Sequence, residues 1–345
     1  MIQVIKEKKE WDNYVSIFEE SDLYHTFDYH YISRENGDPV LLTYLQGKTI
    51  IAIPLLIRKI EGTSFFDATS VYGYSGPLCN NYTSEFNHEE FKRELLAYLH
   101  SQRIISVFSR LNPFLSNQQT ILKGIGEVER KGPIVSINLG LDLEQQRQAY
   151  ARRLKGQLNK IRRHCVVKTA SSDEDLDTFI NIYHENMDRV NAKPMYYFDP
   201  NYFKVLANSK EIKTETFLAI HNQSGKVIGA CLFFYKDSVI HYHLSGTKSE
   251  YLYLMPTKLL IDEMRIRATE LGLNHFNLGG GLAGTNDSLL RFKSSFSKNM
   301  IDFCVWKLIV NQDVYKDLVL KNQTPEHVDF FPLYRFSSDL SMVKK

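Results

Sequence analysis

The sequence predicts an α/β protein built from two copies of one domain. Strand and helix patterns alternate along its 345 residues, and such alternation is typical of α/β folds. A strand–turn–strand pattern also occurs twice, as LLTYLQGKTIIAIPL over 41–55 and AIHNQSGKVIGACLF over 219–233, which aligns Gly47-Lys48 with Gly225-Lys226. Chance stays the alternative, because any two hairpins can share Gly-Lys. The chain is long enough for two domains of ~150 residues each.

Apolar runs and periodic patterns predict the individual elements. The strands are Pro39–Tyr44, Thr49–Ile57, Ile104–Arg110, Ile134–Ile137, Glu215–His221, Val227–Tyr235, Val239–Leu244, His275–Leu278 and Phe303–Val310. The helices are Glu89–Gln102, Asp173–Arg189 and Pro256–Leu271. The last is the clearest helix, because Pro256 suits a first helical position and Gly272 suits a C-terminal stop.

Composition excludes several classes of protein. Lys and Arg number 42 against 40 Asp and Glu, and this balance does not fit a protein that binds polyanions over its whole surface. The four cysteines lie far apart without metal-ligand spacing, which predicts reduced thiols and no metal site. The N-terminal stretch lacks an apolar signal core, and the longest aliphatic run is far below the ~20 residues of a spanning helix. We expect a soluble, cytoplasmic chain with no transmembrane segment.

One segment, residues 145–172, carries no acid and many cations. The cations are Arg147, Arg152, Arg153, Lys155, Lys160, Arg162, Arg163 and Lys168. Like charges at i,i+4 repel, so helix stability alone does not explain the arrangement. Two interpretations stay open. The segment is a solvated basic helix, or it binds a phosphate-rich ligand such as tRNA or a nucleotide-linked substrate, with Arg152 and Arg163 among its contacts.

A glycine-rich turn, Gly279-Gly280-Gly281-Leu282-Ala283-Gly284, follows the strand that begins at His275. It matches GxGxxG, but too few residues follow for a dinucleotide-binding domain, and the motif opens no N-terminal βαβ unit. Glycines at this position indicate close backbone approach or a positive φ. Backbone N–H groups at such a strand end can hold an anion or an acyl oxygen.

Three features follow one another along the second half of the chain. A helix ends in Ala-x-x-x-Gly at Ala268 and Gly272, the next strand ends in Gly-Gly, and Phe292-Lys293-Ser-Ser-Phe296 reads Phe-Lys-x-x-Phe. This combination resembles the FemAB-type transferases and the related BioF-type acetyltransferase-like domains of the GNAT superfamily. The basic stretch Arg152–Arg163 with Met187-Asp188-Arg189, and the aromatic stretch Tyr72-Gly-Tyr74-Ser-Gly76-Pro77, also resemble this group. The resemblance covers roughly residues 20–310 and is most specific at Phe-Lys-x-x-Phe.

The resemblance implies a domain organisation. It predicts two tandem GNAT-like domains, each a mixed twisted sheet flanked by helices, which face one another across a cleft. The first domain would span 1–140, and the second, with the acyl-transfer motif, would span 141–319. A C-terminal tail at about 320–345 would return to the first domain. The boundary near 140 also lies where Asn138-Leu139-Gly140 follows a predicted strand.

The resemblance also implies roles for single residues. Lys293 would neutralise donor phosphate or developing charge, and Phe292 would shape the acyl pocket. Arg189 would bind an anionic part of the acceptor, while Tyr72 and Tyr74 would line the acceptor cleft.

Stabilisation of the oxyanion is assigned to the glycine turn, and acceptance of the proton is assigned to two candidate bases. Backbone N–H groups of Gly279, Gly280 and Gly281 would face the oxyanion. His243 or Asp287 would accept the proton, unless it leaves through water or the substrate. His241 and His243 lie two residues apart, on one face of a predicted strand. Because no carboxylate partner accompanies them, they fit a packed or pocket-lining pair better than a metal site.

The sequence departs from the FemAB-type ligases in several places. Ser75 stands where they usually carry Arg, Asn80 where an acid usually follows, and Ser245 where Tyr commonly precedes the glycine. The helical arm of the larger ligases is missing. These departures argue against a muramyl-peptide substrate. The usual GNAT loop for coenzyme A pyrophosphate, Gln/Arg-x-x-Gly-x-Gly/Ala, is also absent. The stretch Arg153–Leu158 has a leucine at the last position, where that pattern requires glycine or alanine.

We therefore predict an acyltransferase that moves an activated acyl group onto an acceptor amine in cell-envelope or polysaccharide precursor biosynthesis. The donor would be a co-substrate, an acyl-CoA, an acyl-carrier or an aminoacyl-tRNA, and no cofactor would be tightly bound. The acceptor would be a small molecule or a glycan-linked amine, tRNA is a candidate partner, and DNA is not. Two alternatives stay open: tRNA-dependent peptide-bond formation on a peptidoglycan precursor, and a non-enzymatic binding module on a degenerate transferase fold.

Overall fold

The computed structural model describes residues 1–34, 37–281, 285–323, 325 and 328–336. Two compact units divide the chain. Unit 1 consists of Met1–Lys131 and Phe303–Lys345, and unit 2 consists of Gly132–Asp302. Both units are mixed α/β, as the sequence predicts.

Unit 1 is a sheet flanked by helices. Its elements are β1 (Gln3–Ile5), α1 (Lys8–Val15), α2 (Phe27–Ile32), β2 (Gly37–Gln46), β3 (Thr49–Lys59), β4 (Phe66–Thr69), β5 (Leu78–Asn80), α3 (His88–Ser101), β6 (Ile104–Arg110) and α4 (Gln118–Ile121), with the start of β7 (Glu127–Asn138). Most of β13 (Met300–Ile309) and α11 (Gln312–Lys321) complete it.

Unit 2 has the same construction. It contains the end of β7, followed by α5 (Leu143–Gln148), α6 (Arg152–His164), β8 (Cys165–Thr169), α7 (Asp173–Arg189), α8 (Pro200–Asn208), β9 (Lys213–His221), β10 (Val227–Lys236), β11 (Val239–Thr247), α9 (Pro256–Glu270), β12 (His275–Gly280) and α10 (Ser288–Lys293). Leu154 and Leu158 of α6 and Leu260 and Met264 of α9 are buried in its core. Within the described ranges, no helix combines the length and the apolar composition needed to cross a membrane.

The two units share one strand order. It is β1-β2-β3-β4-β6-β13 in unit 1, with β5 beside β3, and β8-β9-β10-β11-β12-β7 in unit 2. Each order contains one parallel pair of strands that are connected through a helix. In unit 1 the pair is β4 and β6, connected through α3, and in unit 2 it is β11 and β12, connected through α9. The tandem architecture expected from the repeat is therefore present.

The repeated sequence pattern corresponds to the hairpins β2–β3 and β9–β10. Gly47 and Gly225 lie in their turns with φ of +58° and +66°, values that glycine adopts without strain. The same two turns are the ones that the alignment of the sequence superposes. The alignment thus marks equivalent hairpins.

The last strand of each sheet comes from a distant part of the chain. β13 pairs antiparallel with β6 through Val305–Ile309, and β7 pairs antiparallel with β12 through Ile134–Asn138. The units therefore divide within β7, after Lys131, and within β13, after Asp302, whereas the sequence placed the boundaries near 140 and 319. Gly132 and Pro133 follow the first division, but β7 runs through both without a loop, so they do not mark a domain boundary in the sequence.

The C-terminal segment belongs to unit 1 from Phe303 onward, earlier than the predicted tail at about 320. Trp306 is fully buried in the unit 1 core. Further along, Tyr334 and Arg335 donate hydrogen bonds to the buried Asp67 carboxylate at 3.2 and 2.5 Å. Residues 324, 326, 327 and 337–345 of the predicted tail lie outside the described residues.

Candidate functional site

The parallel strands of unit 2 separate partway along their length. β11 and β12 pair through Val239–His241 and His275–Asn277, yet β11 continues to Thr247 and β12 to Gly280. No pairing between them is present beyond His241 and Asn277 in the described residues. Strand edges of this kind can hydrogen-bond an extended ligand, and ligands of α/β sheets bind at the carboxyl ends of parallel strands.

Register shifts lie on both sides of this separation. One, between β10 and β11, leaves His243 without a facing residue. The other, between β12 and β7, does the same for Leu278. β-bulges are frequent beside functional sites, because the extra residue re-aims neighbouring side chains. The separation of β11 and β12 is therefore the candidate site.

Lys293 lies at the end of β12. It is the last residue of α10, its side chain is 8% exposed, and its Nζ donates a hydrogen bond to the Gly280 carbonyl at 2.7 Å. Burial lowers the pKa of Lys293 to about 8, although the nearby Asp287 carboxylate acts in the opposite direction. An ammonium group has three donors, so Lys293 keeps two for a ligand after bonding to Gly280.

Two of the glycines are required by close approaches. A Cβ on Gly279, whose φ is +76°, would lie 3.0 Å from the Lys293 Nζ. A Cβ on Gly281 would lie 2.0 Å from the Thr285 carbonyl oxygen. The sequence predicted close approach or positive φ at this turn, and both occur. Leu282, Ala283 and Gly284 of the same motif lie outside the described residues.

Asn277 organises the turn and was not found from the sequence. Its Oδ1 accepts the Gly279 N–H at 2.8 Å, and its Nδ2 lies 3.1 Å from the His241 Nδ1. The Gly279 N–H is therefore already bonded, and the prediction that it faces the oxyanion is wrong for this conformation. Only the asparagine's position two residues before Gly279 could have signalled its role.

The two candidate bases have different surroundings. Asp287 caps α10, because its Oδ1 accepts the Leu290 N–H at 2.8 Å, and its charge acts on Lys293. Burial, with a smaller effect of His241, lowers the pKa of His243 to about 3, and its Nε2 lies 2.6 Å from the Tyr202 hydroxyl. General bases work best with a pKa near the operating pH, so His243 is poorly suited to accept the proton.

A second basic group lies next to Phe292. The Phe292 ring is half-buried against the unit 2 core, and the Lys258 Nζ is 6.0 Å from its centroid. Lys258 lies in the first turn of α9 and donates to the Gln157 Oε1 at 2.7 Å. Burial and the nearby Arg153 guanidinium lower the pKa of Lys258. Two cations held this close favour an anionic ligand.

Part of the basic segment neutralises a buried carboxylate. Asp262 on α9 is fully buried and accepts hydrogen bonds from the Tyr150 hydroxyl at 2.8 Å and from Arg162 at 2.7 Å. Burial alone would raise the pKa of Asp262, but Arg265 and Arg162 outweigh it and hold that pKa below its usual value. Arg162 is therefore a structural residue rather than a free charge for a ligand.

The other arginines of α6 remain available. Arg152, Arg153 and Arg163 are exposed, and within the described ranges none of them has a carboxylate at ion-pair distance. The opposite face of the helix buries Leu158 and Ile161. α6 therefore presents an exposed cationic surface, which keeps Arg152 and Arg163 as candidate ligand contacts.

The predicted acceptor residues lie in different units. Arg189 ends α7 in unit 2, where it is exposed and donates to the Asn186 side chain. Tyr72 and Tyr74 belong to unit 1. Tyr72 is 57% exposed, whereas Tyr74 is half-buried against Phe303, and burial raises its pKa to about 12. Tyr72 is thus free to contact a ligand, and Tyr74 is mainly a packing residue.

No metal cluster accompanies these residues. Among the residues that the structure describes, no group of three or more His, Cys, Asp or Glu side chains is arranged to hold a metal ion.

The chain resembles known proteins at two levels. Residues 146–294 match the family model of the acetyltransferase (GNAT) domain, which covers the strand separation, the glycine turn and Lys293. No curated protein matches the chain.

Solved structures resemble the chain over most of its length. FemX is 14% identical, with a TM-score of 0.69 over 91% of this chain and 99% of that chain. The C-terminal domain of a putative lysylphosphatidylglycerol synthetase from Agrobacterium fabrum is 11% identical, with a TM-score of 0.57 over 91% and 94%. L-PGS from Bacillus licheniformis is 11% identical, with a TM-score of 0.55 over 92% and 96%. At these identities, the likeness shows the fold.

Proposed function

We propose that this chain, which has a FemAB-like fold, is an acyltransferase of the GNAT superfamily that moves an activated acyl group directly onto an acceptor amine. The observation that carries the proposal is the Lys293 ammonium, buried beside the point where β11 and β12 separate and hydrogen-bonded to a carbonyl at 2.7 Å. A buried cation at a strand edge fits a reaction in which negative charge develops on an acyl oxygen or a leaving group.

The mechanism assigns most of the work to positioning and electrostatics. The unpaired edges of β11 and β12 hold the extended part of the donor, and Phe292 packs against the acyl group. The acceptor nitrogen attacks the acyl carbon, the bond to the leaving sulfur or oxygen breaks, and Lys293 hydrogen-bonds the oxygen or leaving group that gains charge. The proton of the amine leaves through water or to the leaving group, since His243 is too weak a base.

The donor is proposed to carry phosphate. Lys258 lies beside Phe292, and Arg153 is close enough to Lys258 to lower its pKa, so a phosphate bound by these cations would place a connected acyl group towards Phe292 and Lys293. Arg152 and Arg163 extend the cationic surface along α6. These exposed arginines specifically favour an aminoacyl-tRNA over a small donor, and this is the second candidate function.

A cell-envelope acceptor is the third part of the proposal. It is supported by the name of a similar structure, a putative lysylphosphatidylglycerol synthetase, which refers to a lipid. The acceptor would be an amine on a glycan or lipid precursor or on a small molecule.

The experiment is a transfer assay in which donor and acceptor are varied separately. Purified protein is incubated with acetyl-CoA, longer acyl-CoA thioesters or charged tRNA, and with a panel of amines, and products are identified by mass. We expect an N-acyl product with one donor class. Product formation that ribonuclease abolishes would select the tRNA-dependent alternative. If ligands bind but no donor gives a product, the chain is a binding module and the proposal fails.

A further inference from the structure

A loop of unit 1 presents an exposed tyrosine at the end of the parallel pair β4 and β6. Thr69 faces Phe108 in this pair, and the next bridge joins Ser75 to Leu111. Residues 70–74 therefore stand opposite residues 109–110 and form an arch. Tyr72 lies in the arch with 57% of its surface exposed.

The backbone of this arch is held in place by buried groups. The Tyr29 hydroxyl donates to the Tyr72 carbonyl at 3.0 Å, and the Asn112 Nδ2 donates to the Tyr74 carbonyl at 2.9 Å. Gly73 has a φ of +140°, and a Cβ there would lie 2.1 Å from the Tyr24 ring. An aromatic ring that only contacts solvent does not need so constrained a backbone. An exposed ring held in a fixed position is typical of a preorganised binding surface.

Arg110, the last residue of β6, packs against this tyrosine. Its guanidinium carbon lies 5.3 Å from the centre of the Tyr72 ring and 5.8 Å from that of Phe108. Its backbone N–H donates to the Ser70 Oγ at 3.2 Å. The side chain is half-buried, and in the described part of the chain no carboxylate lies within ion-pair distance of it.

This combination suits an anionic ligand. Half-burying a guanidinium removes part of its hydration, and proteins usually compensate with a carboxylate partner. Here the compensation is aromatic, which leaves the planar fork of N–H donors without an anion. That fork matches the geometry of a carboxylate or a phosphate, and the adjacent ring can pack against an apolar face of the same ligand.

We propose that Arg110 and Tyr72 form a subsite in unit 1 for an anionic group, a carboxylate or a phosphate, of the acceptor. The assignment of this anion to the acceptor rests on the proposed acyl transfer. The binding chemistry itself is independent of catalysis, so it can be measured without a donor.

The test uses three amino sugars that share a free amine and differ in charge: glucosamine, glucosamine 6-phosphate and muramic acid. Binding to the full chain is measured by calorimetry without an acyl donor. We expect an anionic sugar to bind more tightly than glucosamine, and Arg110→Gln to weaken that binding at least about tenfold, as expected for loss of a charge-assisted hydrogen bond. Glucosamine binding should change less than about twofold, because it lacks the anion.

Variants separate this contact from general effects. Arg110→Lys keeps the charge without the planar fork and should give an intermediate affinity, and it serves as the test if Arg110→Gln does not fold. Arg93→Gln removes the same charge from an exposed site on α3 that pairs with Glu90, and should leave binding unchanged. Thermal unfolding of each variant checks the fold.

The results of these measurements test the anion subsite separately from the proposed acyl transfer. Preference for glucosamine 6-phosphate or for muramic acid identifies the anion as phosphate or carboxylate. If neither anionic sugar binds better than glucosamine, or if Arg110→Gln and Arg110→Lys bind as the parent does, the subsite is wrong even when transfer is observed. Arg110-dependent binding without any transfer would support the subsite and contradict the proposed function.

Discussion

Burial of the Lys293 ammonium at the end of β12 is energetically unfavourable, because the ammonium is bonded to a carbonyl rather than to a carboxylate. Burial lowers its pKa to about 8, so the charged form predominates at neutral pH but is less stable than in water. A lysine in this state is well suited to neutralise charge that develops during transfer. Its protonation should therefore be visible in the pH dependence of the reaction.

The first prediction concerns that pH dependence. The acceptor amine must be neutral to attack, so kcat should rise from pH 6 as the amine loses its proton. It should fall above about pH 8, because Lys293 then loses the proton that it donates. Rates measured from pH 6 to 10 at saturating substrates test this. A rate that keeps rising to pH 10 would show that charged Lys293 is not needed.

The second prediction separates backbone strain from contact with the lysine. Gly279→Ala places a Cβ 3.0 Å from the Lys293 Nζ at a φ of +76°, whereas Gly272→Ala, at a φ of +72°, meets nothing within 4 Å. Both should lose about 1–2 kcal/mol of unfolding free energy. Gly279→Ala alone should also lower kcat by tenfold or more, because Lys293 must move. Equal rates for the two variants would argue against the position assigned to Lys293.

At the scale of elements, α6 divides its charges between two tasks. Arg162 bonds to the buried Asp262, while Arg152, Arg153 and Arg163 are exposed and have no acidic partner among the residues that the structure describes. The sequence could show the density of positive charge, but the buried aspartate lies about a hundred residues away on α9. Removing the charge of Arg162 should therefore affect stability, and removing the charges of the exposed arginines should affect function.

The third prediction follows from that division. Arg162→Gln should lower the free energy of unfolding by about 1–2 kcal/mol, because it weakens the neutralisation of Asp262. Replacing Arg152, Arg153 and Arg163 together by Gln should change stability by less than about 0.5 kcal/mol but raise the KM for the donor. If the donor is tRNA, the log–log salt slope should flatten by ~0.7–0.9 for each lost phosphate contact. An unchanged KM and slope would leave α6 without a role in donor binding.

The elements also show which features a sequence can predict. α7 and β6 have the predicted bounds, because a capping serine or a run of β-branched residues marks their ends. β7 begins at Glu127, well before the predicted Ile134, since its first half is polar. Lys293 was found through its motif. Asn277 and Arg110 were not, because their roles depend on groups that the fold brings near.

At the scale of the whole molecule, the sheet of unit 1 is completed by a strand that follows unit 2 in the chain. The segment of β13 from Phe303 belongs to unit 1, where Trp306 is fully buried and its indole N–H donates to the Ile125 carbonyl at 2.6 Å. The first 131 residues therefore lack one strand and one large core residue of their own unit. The stability of unit 1 should depend on residues that follow unit 2 in the sequence.

The fourth prediction tests this dependence. Trp306→Ala should lower the unfolding free energy by about 3–5 kcal/mol, and hydrogen exchange should accelerate in β4 and β6. Met300→Ala, at a site on the same strand that is 48% exposed, serves as the control and should cost less than about 0.5 kcal/mol. Exchange that accelerates equally in β9 and β10 would contradict the assignment of β13 to unit 1.

The central claim is that buried Lys293 acts in acyl transfer and not in folding, and the most direct test is a single-turnover transfer assay on Lys293→Met. Methionine keeps most of the length of the side chain and removes its charge. We expect the transfer rate to fall a hundredfold or more, by ~3–4 kcal/mol of lost electrostatic stabilisation. The free energy of unfolding at pH 7 should stay equal or rise, because a buried ammonium is removed. A Lys293→Met protein that unfolds at lower denaturant concentration and transfers within threefold of the parent would contradict the account.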